Sequence, residues 1–269
     1  MAKINTVLLM YHEANRYSAI FNGCPELDTK RLHVENVIKN ISTLIEALNP
    51  QDINKDLLVL CAEHHDDGRV DQLRLLGKFW DTEVTHQSLG VDRFYRWLHK
   101  SSYVAPVTAE QIQIFLDVMQ YHGRPELCIN KASKPYVELV TAADDLENAA
   151  ACVSYLLREV RDDAKGYRHD YPEADQTFAS DFVFTHFKNG EKFDKLKYCH
   201  TYAEYVLFAA TLMTSCIKKY DFAKSLLLQP GYGYSSILEG YKDVFYKTLN
   251  PELANRAYKV LCGYAYAEN

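Results

Sequence analysis

Apolar residues recur at spacings of three and four along most of this chain, which is the pattern of helices that bury one face. In the first long segment the apolar positions are Leu32, Val37, Ile38, Ile41, Leu44, Ile45 and Leu48. The whole set of such patterns predicts helices at about 30–48, 54–66, 83–99, 108–122, 132–162, 200–220, 236–248 and 251–265. No strand-like alternation of apolar and polar residues persists, so the sequence predicts an all-α fold.

The organisation along the chain favours one domain. Residues 1–269 contain no internal repeat with a period of about 20 to 50 residues and no low-complexity linker. We therefore expect a single all-α domain, interrupted by a polar and aromatic insert at about 163–199, where the helical periodicity is weak.

That insert has the composition of a lid over a nucleotide pocket. Aromatic rings can stack on a base, and cations can hold phosphates. The residues concerned are Tyr167, Arg168, Tyr171, Phe178, Phe182, Phe184, Phe187, Lys188 and Lys192. The alternative is structural, with the aromatic residues packed against the C-terminal helices and the lysines in water.

Composition limits the classes of partner and compartment. The formal net charge of −6 and the absence of a basic block argue against a dedicated nucleic-acid binder. The seven cysteines are scattered and form no Cys-x-x-Cys pair, so neither a disulfide framework nor a zinc ribbon is expected. No apolar run approaches the ~20 residues of a membrane span. We therefore expect a cytoplasmic protein with no membrane partner.

Three segments carry residues that suit a divalent metal. His65-Asp66 follows an apolar run, His33 lies on a predicted buried helix face, and Asp144 follows small and apolar residues in mid-helix. Imidazole suits borderline metals and carboxylate suits hard ones, so such a set can close around one ion inside a helical bundle. Taken singly, His33 could be a hydrogen-bonded core histidine and Asp144 a surface carboxylate.

The order of these motifs resembles the HD-domain metal-dependent phosphohydrolase superfamily. Its His-x-x-x-Val pattern corresponds to His33–Val37, its His-Asp helix to Leu57–Arg69, and its Ala-Asp-x-Leu pattern to Ala143–Leu146. The segments Gly68–Gln72, Gly77–Asp81 and Thr85–Val91 are similar to a bacterial branch of uncharacterised HD hydrolases. The resemblance is specific over residues 28–148. Asp67 and Asp145 depart from it, since the family has an apolar and a basic residue there.

The resemblance implies an HD-like helical bundle with a metal site among its central helices. It assigns His33, His65, Asp66 and Asp144 to metal, and His86 and His122 to a second ion bridged by Asp66, with substrate contact as the alternative for these two histidines. His64 is expected beside a ligand or on phosphate. Arg69 is expected to clamp phosphate in bidentate fashion or to pair at the helix end. Gln72 and Lys78 are weaker candidates for substrate contact, and Asp67 and Asp145 for orienting ligands or water or for facing solvent.

The implied function is hydrolysis of a nucleotide or another small phosphate ester, with one or two ions of Mn, Fe, Ni, Co, Zn or Mg. The catalytic assignment is Asp66, Arg69 and His64. The alternative is a non-catalytic HD module that senses a ligand or organises an assembly, and a nuclease would need a basic groove that the sequence does not display. The chain has no phosphate-binding Gly-x-x-x-x-Gly-Lys loop, no Gly-x-Ser-x-Gly elbow and no His-Glu-x-x-His motif. A Gly-Tyr-Pro motif of cyclic-dinucleotide phosphodiesterases is also absent.

Overall fold

The computed structural model of the protein describes residues 4–21, 25–77, 81, 84–101, 109–162, 177–230 and 233–267. Within these ranges the regular elements are helices and no extended strand occurs, which confirms the all-α prediction. The helices are α1 (Thr6–Ala14), α2 (Tyr17–Ile20), α3 (Pro25–Leu48), α4 (Lys55–His64), α5 (Gly68–Leu76), α6 (His86–Lys100), α7 (Ala109–Tyr121), α8 (Lys134–Asp162), α9 (Asp181–Asn189), α10 (Lys195–Tyr198), α11 (Tyr202–Lys219), α12 (Ala223–Leu228), α13 (Ile237–Thr248) and α14 (Pro251–Tyr266), with a 3₁₀ turn at Pro125–Leu127.

The chain divides into two compact units, Met1–Asp144 and Asp145–Asn269, with the boundary inside α8. Every residue predicted to bind metal belongs to the first unit. The prediction that residues 1–269 form one domain stays a prediction, as does the HD-like arrangement of the helices.

The first unit is built around α4, which the sequence predicts as a central helix. α4 packs against α3 and α7, and α6 packs against α5 and α7. Leu58, Cys61 and Ala62 of α4 are fully buried. Helix α1, which the apolar periodicity did not predict, joins this core through Tyr11, whose ring contacts those of Phe94, Trp97 and Phe115.

Capping residues set where the helices that carry the candidate site begin. The Asn54 side chain caps the start of α4, and the Thr85 side chain caps the start of α6. Since α4 ends at His64 and α5 begins at Gly68, residues 65–67 form the turn between two helices. This turn carries the His-Asp doublet at the point where α4 and α5 meet.

Gly68 allows α5 to approach the start of α6. A Cβ atom at this position would lie 1.9 Å from the backbone oxygen of His86 and 2.5 Å from the backbone nitrogen of Gly90. Only a residue without a Cβ permits such an approach of two backbones. The glycine therefore brings His86 towards the turn that holds the doublet.

The second unit has its own core and its own helix caps. Helix α11 packs against α9 and α13, and its start carries a capping box formed by Thr201 and Glu204. The hydroxyl of Tyr241 is buried and donates to the backbone oxygen of Ala149 at 2.7 Å. None of the helices that the structure describes is long and apolar enough to cross a membrane.

The predicted insert at 163–199 contains regular structure in its second half. Helices α9 and α10 lie there, although the sequence indicated mostly irregular chain. Phe187 is fully buried and contacts the ring of Phe245, while the guanidinium of Arg256 lies over the ring of Phe184. These two aromatic residues thus pack against the C-terminal helices. Residues 163–176, including Tyr167, Arg168 and Tyr171, lie outside the described residues, and the lid role stays a prediction.

Candidate metal centre

The structure brings together all six side chains that the sequence predicted as metal ligands. They come from α3, from the turn after α4, from the first residue of α6, from the residue after α7 and from the middle of α8: His33, His65, Asp66, His86, His122 and Asp144. The most exposed of them, Asp144, has only 16% of its side-chain surface accessible. The cluster is therefore a buried set of imidazoles and carboxylates.

One group of atoms surrounds the Oδ2 atom of Asp66. The Nε2 atom of His33 lies 3.1 Å from Oδ1 of Asp144 and 3.6 Å from Oδ2 of Asp66. The Nε2 atom of His65 lies 3.8 Å and 3.9 Å from the same two oxygens. Two histidines and two carboxylates thus face one small volume.

A second group surrounds the other oxygen of Asp66. The Nε2 atom of His86 lies 3.2 Å from Oδ1 of Asp66, and that of His122 lies 3.9 Å from it. These two Nε2 atoms are 3.1 Å apart. The carboxylate of Asp66 therefore stands between two groups, with one oxygen directed to each.

Hydrogen bonds at the far side of three rings fix which nitrogen faces the cluster. Nδ1 of His65 lies 2.7 Å from the backbone oxygen of Ala62, and Nδ1 of His122 lies 3.1 Å from that of Val118. A carbonyl oxygen can only accept, so both Nδ1 atoms donate. Nδ1 of His86 donates in the same way to Oδ1 of Asp81 at 2.8 Å. In the neutral rings, Nε2 then carries a lone pair that points into the cluster.

The facing Nε2 atoms and their separations show whether a cation would fit the cluster. In the neutral rings the Nε2 atoms of His86 and His122 would face each other as lone pairs, and the buried Nε2 atoms of His33 and His65 approach carboxylate oxygens without hydrogen-bond geometry among the described residues. Ligand bonds of about 2.1 Å around one ion place neighbouring ligand atoms ~3 Å apart. The shortest separations in both groups match this value. The residues therefore fit a divalent ion, and a donor set of nitrogen and oxygen suits Mn, Fe, Co, Ni and Zn.

The protonation states favour the same conclusion. Burial raises the pKa of Asp66, but Lys30, His65 and Arg69 outweigh it and hold that pKa well below its usual range. Burial and the neighbouring His65 and His86 lower the pKa of His122 to about 3. The Asp66 carboxylate is thus ionised and the His122 imidazole neutral at ordinary pH, which are the forms that bind metal. Burial lowers the pKa of His65, but Asp66 and Asp144 outweigh it and raise that pKa, so His65 would release its proton on binding an ion.

Two cations flank Asp66, and the sequence singled out one of them. Arg69 lies with Nε 3.5 Å from Oδ1 of Asp66, and it donates to Gln72 at 2.8 Å. Lys30 was not predicted, yet its Nζ donates to Oδ2 of Asp66 at 2.9 Å. Its position three residues before His33 on α3 places both side chains on one helix face, which is the signal that could have identified it. Asp66 thus has a cation beside each oxygen.

Asp81 is a second residue without a predicted role. Its Oδ1 atom accepts from both the backbone nitrogen and Nδ1 of His86 and from the amide of Gln72, all within 2.9 Å. Burial raises the pKa of Asp81, but the bonds from His86 and the nearby Arg69 outweigh it and lower that pKa. Asp81 therefore fixes the ring orientation of His86, as a carboxylate behind a metal-binding histidine does.

The structure does not bring His64 to the cluster. This side chain is fully buried, and its hydrogen bonds go to His12 at 3.2 Å and to Asp67 at 2.9 Å. The expectation that His64 touches phosphate therefore has no support from its position. A step of about 100° along the helix from His65 directs it elsewhere.

The two residues that depart from the pattern of the resemblance have partners other than the six side chains. Asp67 is buried and accepts from the hydroxyl of Tyr11 at 2.7 Å, so it does not face solvent. Asp145 pairs with Lys192 at 2.6 Å within the second unit. Lys78, a candidate for substrate contact, lies outside the described residues.

Comparisons of the chain with family models, with curated proteins and with solved structures found no match.

Proposed function

We propose that the chain is a metal-dependent phosphohydrolase of the HD type, acting on a nucleotide or another small phosphate ester. The observation that carries the proposal is the Asp66 carboxylate, which directs one oxygen to His33, His65 and Asp144 and the other to His86 and His122. A carboxylate shared in this way suits two neighbouring ions, and such pairs are common in phosphate-ester hydrolases. The motif order of residues 28–148 supports the same family.

The residues around the cluster suit a phosphate substrate. When bound, a divalent ion supplies an acidified water and polarises a phosphoryl oxygen. Arg69 and Lys30 offer the cationic donors that would hold the phosphate, and Arg69 can do so with two parallel bonds. Asp81 keeps the His86 ring in place while the substrate enters. In the overall reaction, water adds to phosphorus, the ester oxygen leaves, and the proton of water ends on the leaving group or in solvent.

The small exposed fractions of the side chains next to the cluster favour a small substrate. Lys30, Arg69, Asp81 and Asp144 have between 14% and 31% of their side-chain surface exposed, whereas His65 is fully buried. Parts of the side chains next to the cluster are therefore in contact with solvent. The net charge of −6 favours a small anion held locally over a long nucleic acid.

A second candidate function is a non-catalytic module that binds metal or a ligand. The specific observation in its favour is that the cations beside the cluster are already paired: Lys30 with Asp66, and Arg69 with Asp66, Asp81 and Gln72. A substrate would have to replace these partners. If Lys30 and Arg69 keep these partners, the cluster binds metal without turning over a phosphate ester.

Metal content and turnover together test the proposal. The protein is stripped with a chelator, reloaded with Mn, Fe, Co, Ni, Zn or Mg, and assayed on phosphomonoesters, phosphodiesters and nucleotides. We expect turnover that needs metal and that disappears in Asp66→Asn, which keeps the side-chain shape but removes the shared charge. Asp92→Asn, an exposed position on α6, is the matched control. Metal at the cluster without turnover of any ester would favour the non-catalytic module, and no metal at all would contradict both.

A further inference from the structure

A second set of metal-ligand side chains lies outside the cluster described above. Nδ1 of His12 is 3.2 Å from Nε2 of His64 and 3.4 Å from Oε1 of Glu63. All three ligand atoms lie within 4.8 Å of one another. His12 belongs to α1, while Glu63 and His64 end α4. None of these residues takes part in the cluster around Asp66.

The orientation of His64 is fixed by a carboxylate behind it. Nδ1 of His64 lies 2.9 Å from Oδ2 of Asp67, and the same oxygen accepts from the hydroxyl of Tyr11 at 2.7 Å. A carboxylate only accepts, so Nδ1 of His64 carries the proton and Nε2 presents a lone pair to His12. A carboxylate behind a histidine is the usual arrangement at zinc-binding imidazoles. It explains why an aspartate stands at position 67, where the resemblance leads one to expect an apolar residue.

The separations fit an ion as well as they fit the hydrogen bond between the two rings. The N–H of His12 can donate to His64 at 3.2 Å, but the same N–H cannot also serve Glu63, whose Oε1 atom lies 3.4 Å away and is farther than the ~2.7–2.9 Å of a charge-assisted bond. Ligand bonds of about 2.1 Å in tetrahedral geometry place the ligand atoms ~3.4 Å apart. The observed 3.2 Å and 3.4 Å agree with this tetrahedral separation.

We propose that His12, Glu63 and His64 bind a borderline divalent ion, with zinc as the best match. Two imidazoles and one carboxylate form a known zinc donor set that leaves a fourth position for water. Solvent can reach the set, since the His12 side chain is 22% exposed although His64 is fully buried. The ion pins α1 to the end of α4, next to the turn that carries His65 and Asp66.

Zinc equivalents measured on the full chain test this site. His12→Gln and Glu63→Gln each remove one ligand, and His12 lies on the outer side of the set. After zinc loading and desalting, we expect each variant to retain one zinc equivalent fewer than the wild type. His99→Gln removes an exposed histidine of α6 and serves as the matched control, with zinc content equal to the wild type. Far-UV circular dichroism verifies folding, and if His12→Gln does not fold, Glu63→Gln decides.

The experiment distinguishes failure of this second site from failure of the proposed function. Asp144→Asn disturbs the cluster around Asp66 and leaves this set intact, so it is expected to retain the equivalent that His12→Gln loses. Zinc content unchanged in both His12→Gln and Glu63→Gln would overturn the site. An equal loss in His99→Gln would also overturn it, because the ion would then be held by surface histidines in general.

Discussion

The Nε2 atoms of His86 and His122 lie 3.1 Å apart although the Nδ1 atom of each ring already donates to another acceptor. Without a proton on either Nε2 atom, the two rings cannot share a hydrogen. Placing them at hydrogen-bond distance without a proton costs free energy unless a positive charge lies between them and Asp66. This relationship supports the proposed cation site in the second half of the cluster, because a divalent ion there would remove that cost, as would a proton on one of the two Nε2 atoms.

Asp81→Asn is expected to weaken metal binding without unfolding the protein. Asparagine keeps the shape but loses the charge that holds Nδ1–H of His86. Loss of a partner behind a metal ligand costs roughly 10–100-fold in affinity. Calorimetric titration with Mn²⁺ or Zn²⁺ measures the change, and Asp92→Asn provides the control. Equal affinities in Asp81→Asn and the wild type would show that Asp81 does not orient a ligand.

Lys30→Met is expected to separate metal binding from substrate binding. The ammonium of Lys30 competes with a metal for Oδ2 of Asp66, so its removal strengthens metal binding by roughly tenfold, the equivalent of one charge-assisted hydrogen bond of about 1.5 kcal/mol. The same change removes a phosphate contact and raises KM for the ester. Lys39→Met, exposed on the same helix, is the control. A variant with metal affinity and KM both unaltered would exclude Lys30 from the site.

Gly68→Ala is expected to be strongly destabilising. The added Cβ would overlap the backbone oxygen of His86, and a backbone cannot move aside as a flexible side chain can. We expect the free energy of unfolding to fall by about 3 kcal/mol, together with loss of metal at His86. Gly263→Ala is the control: no atom lies within 4 Å of its added Cβ, so helix propensity should raise stability by about 0.5–1 kcal/mol. Urea unfolding that gives the two variants the same stability would contradict this packing.

The second unit offers a pH prediction through Glu204. Burial raises the pKa of this carboxyl, but its bonds to Ser180, His200 and Thr201 outweigh it and lower the pKa below the usual 4.5. A lowered pKa stabilises the fold above pH 4.5, and this stability is lost as the pH falls through the folded-state pKa. Glu204→Gln should therefore unfold at lower temperature than the wild type at pH 7, with the difference shrinking below pH 4.

Thermal unfolding from pH 3 to pH 7 measures that difference. Glu239→Gln, at an exposed first-turn position of α13, is the control. A gap between Glu204→Gln and the wild type that stays constant over the whole range would mean that the charge of Glu204 contributes nothing.

Sequence periodicity predicted the long helices of both units because each buries one apolar face, and motif order predicted the six side chains of the cluster, Asp66 included. Helix α1 was missed, since its apolar run is short and Tyr11 and His12 interrupt it. Lys30 and His12 were missed because their contacts with Asp66 and His64 join distant segments of the chain, and Asp81 was missed because it lies outside any helix and belongs to no periodic pattern. Helix α9 was missed for a similar reason, as Phe187 is buried by α11 and α13 and not by a regular pattern of its own.

The location of bound ions tests the central claim most directly. Crystals of the full chain grown with Mn²⁺ would be measured at a wavelength where manganese scatters anomalously. We predict two peaks within about 2.5 Å of their ligand atoms, one among His33, His65, Asp66 and Asp144 and one among Asp66, His86 and His122. Full Mn²⁺ loading with no anomalous peak at either position would contradict the account.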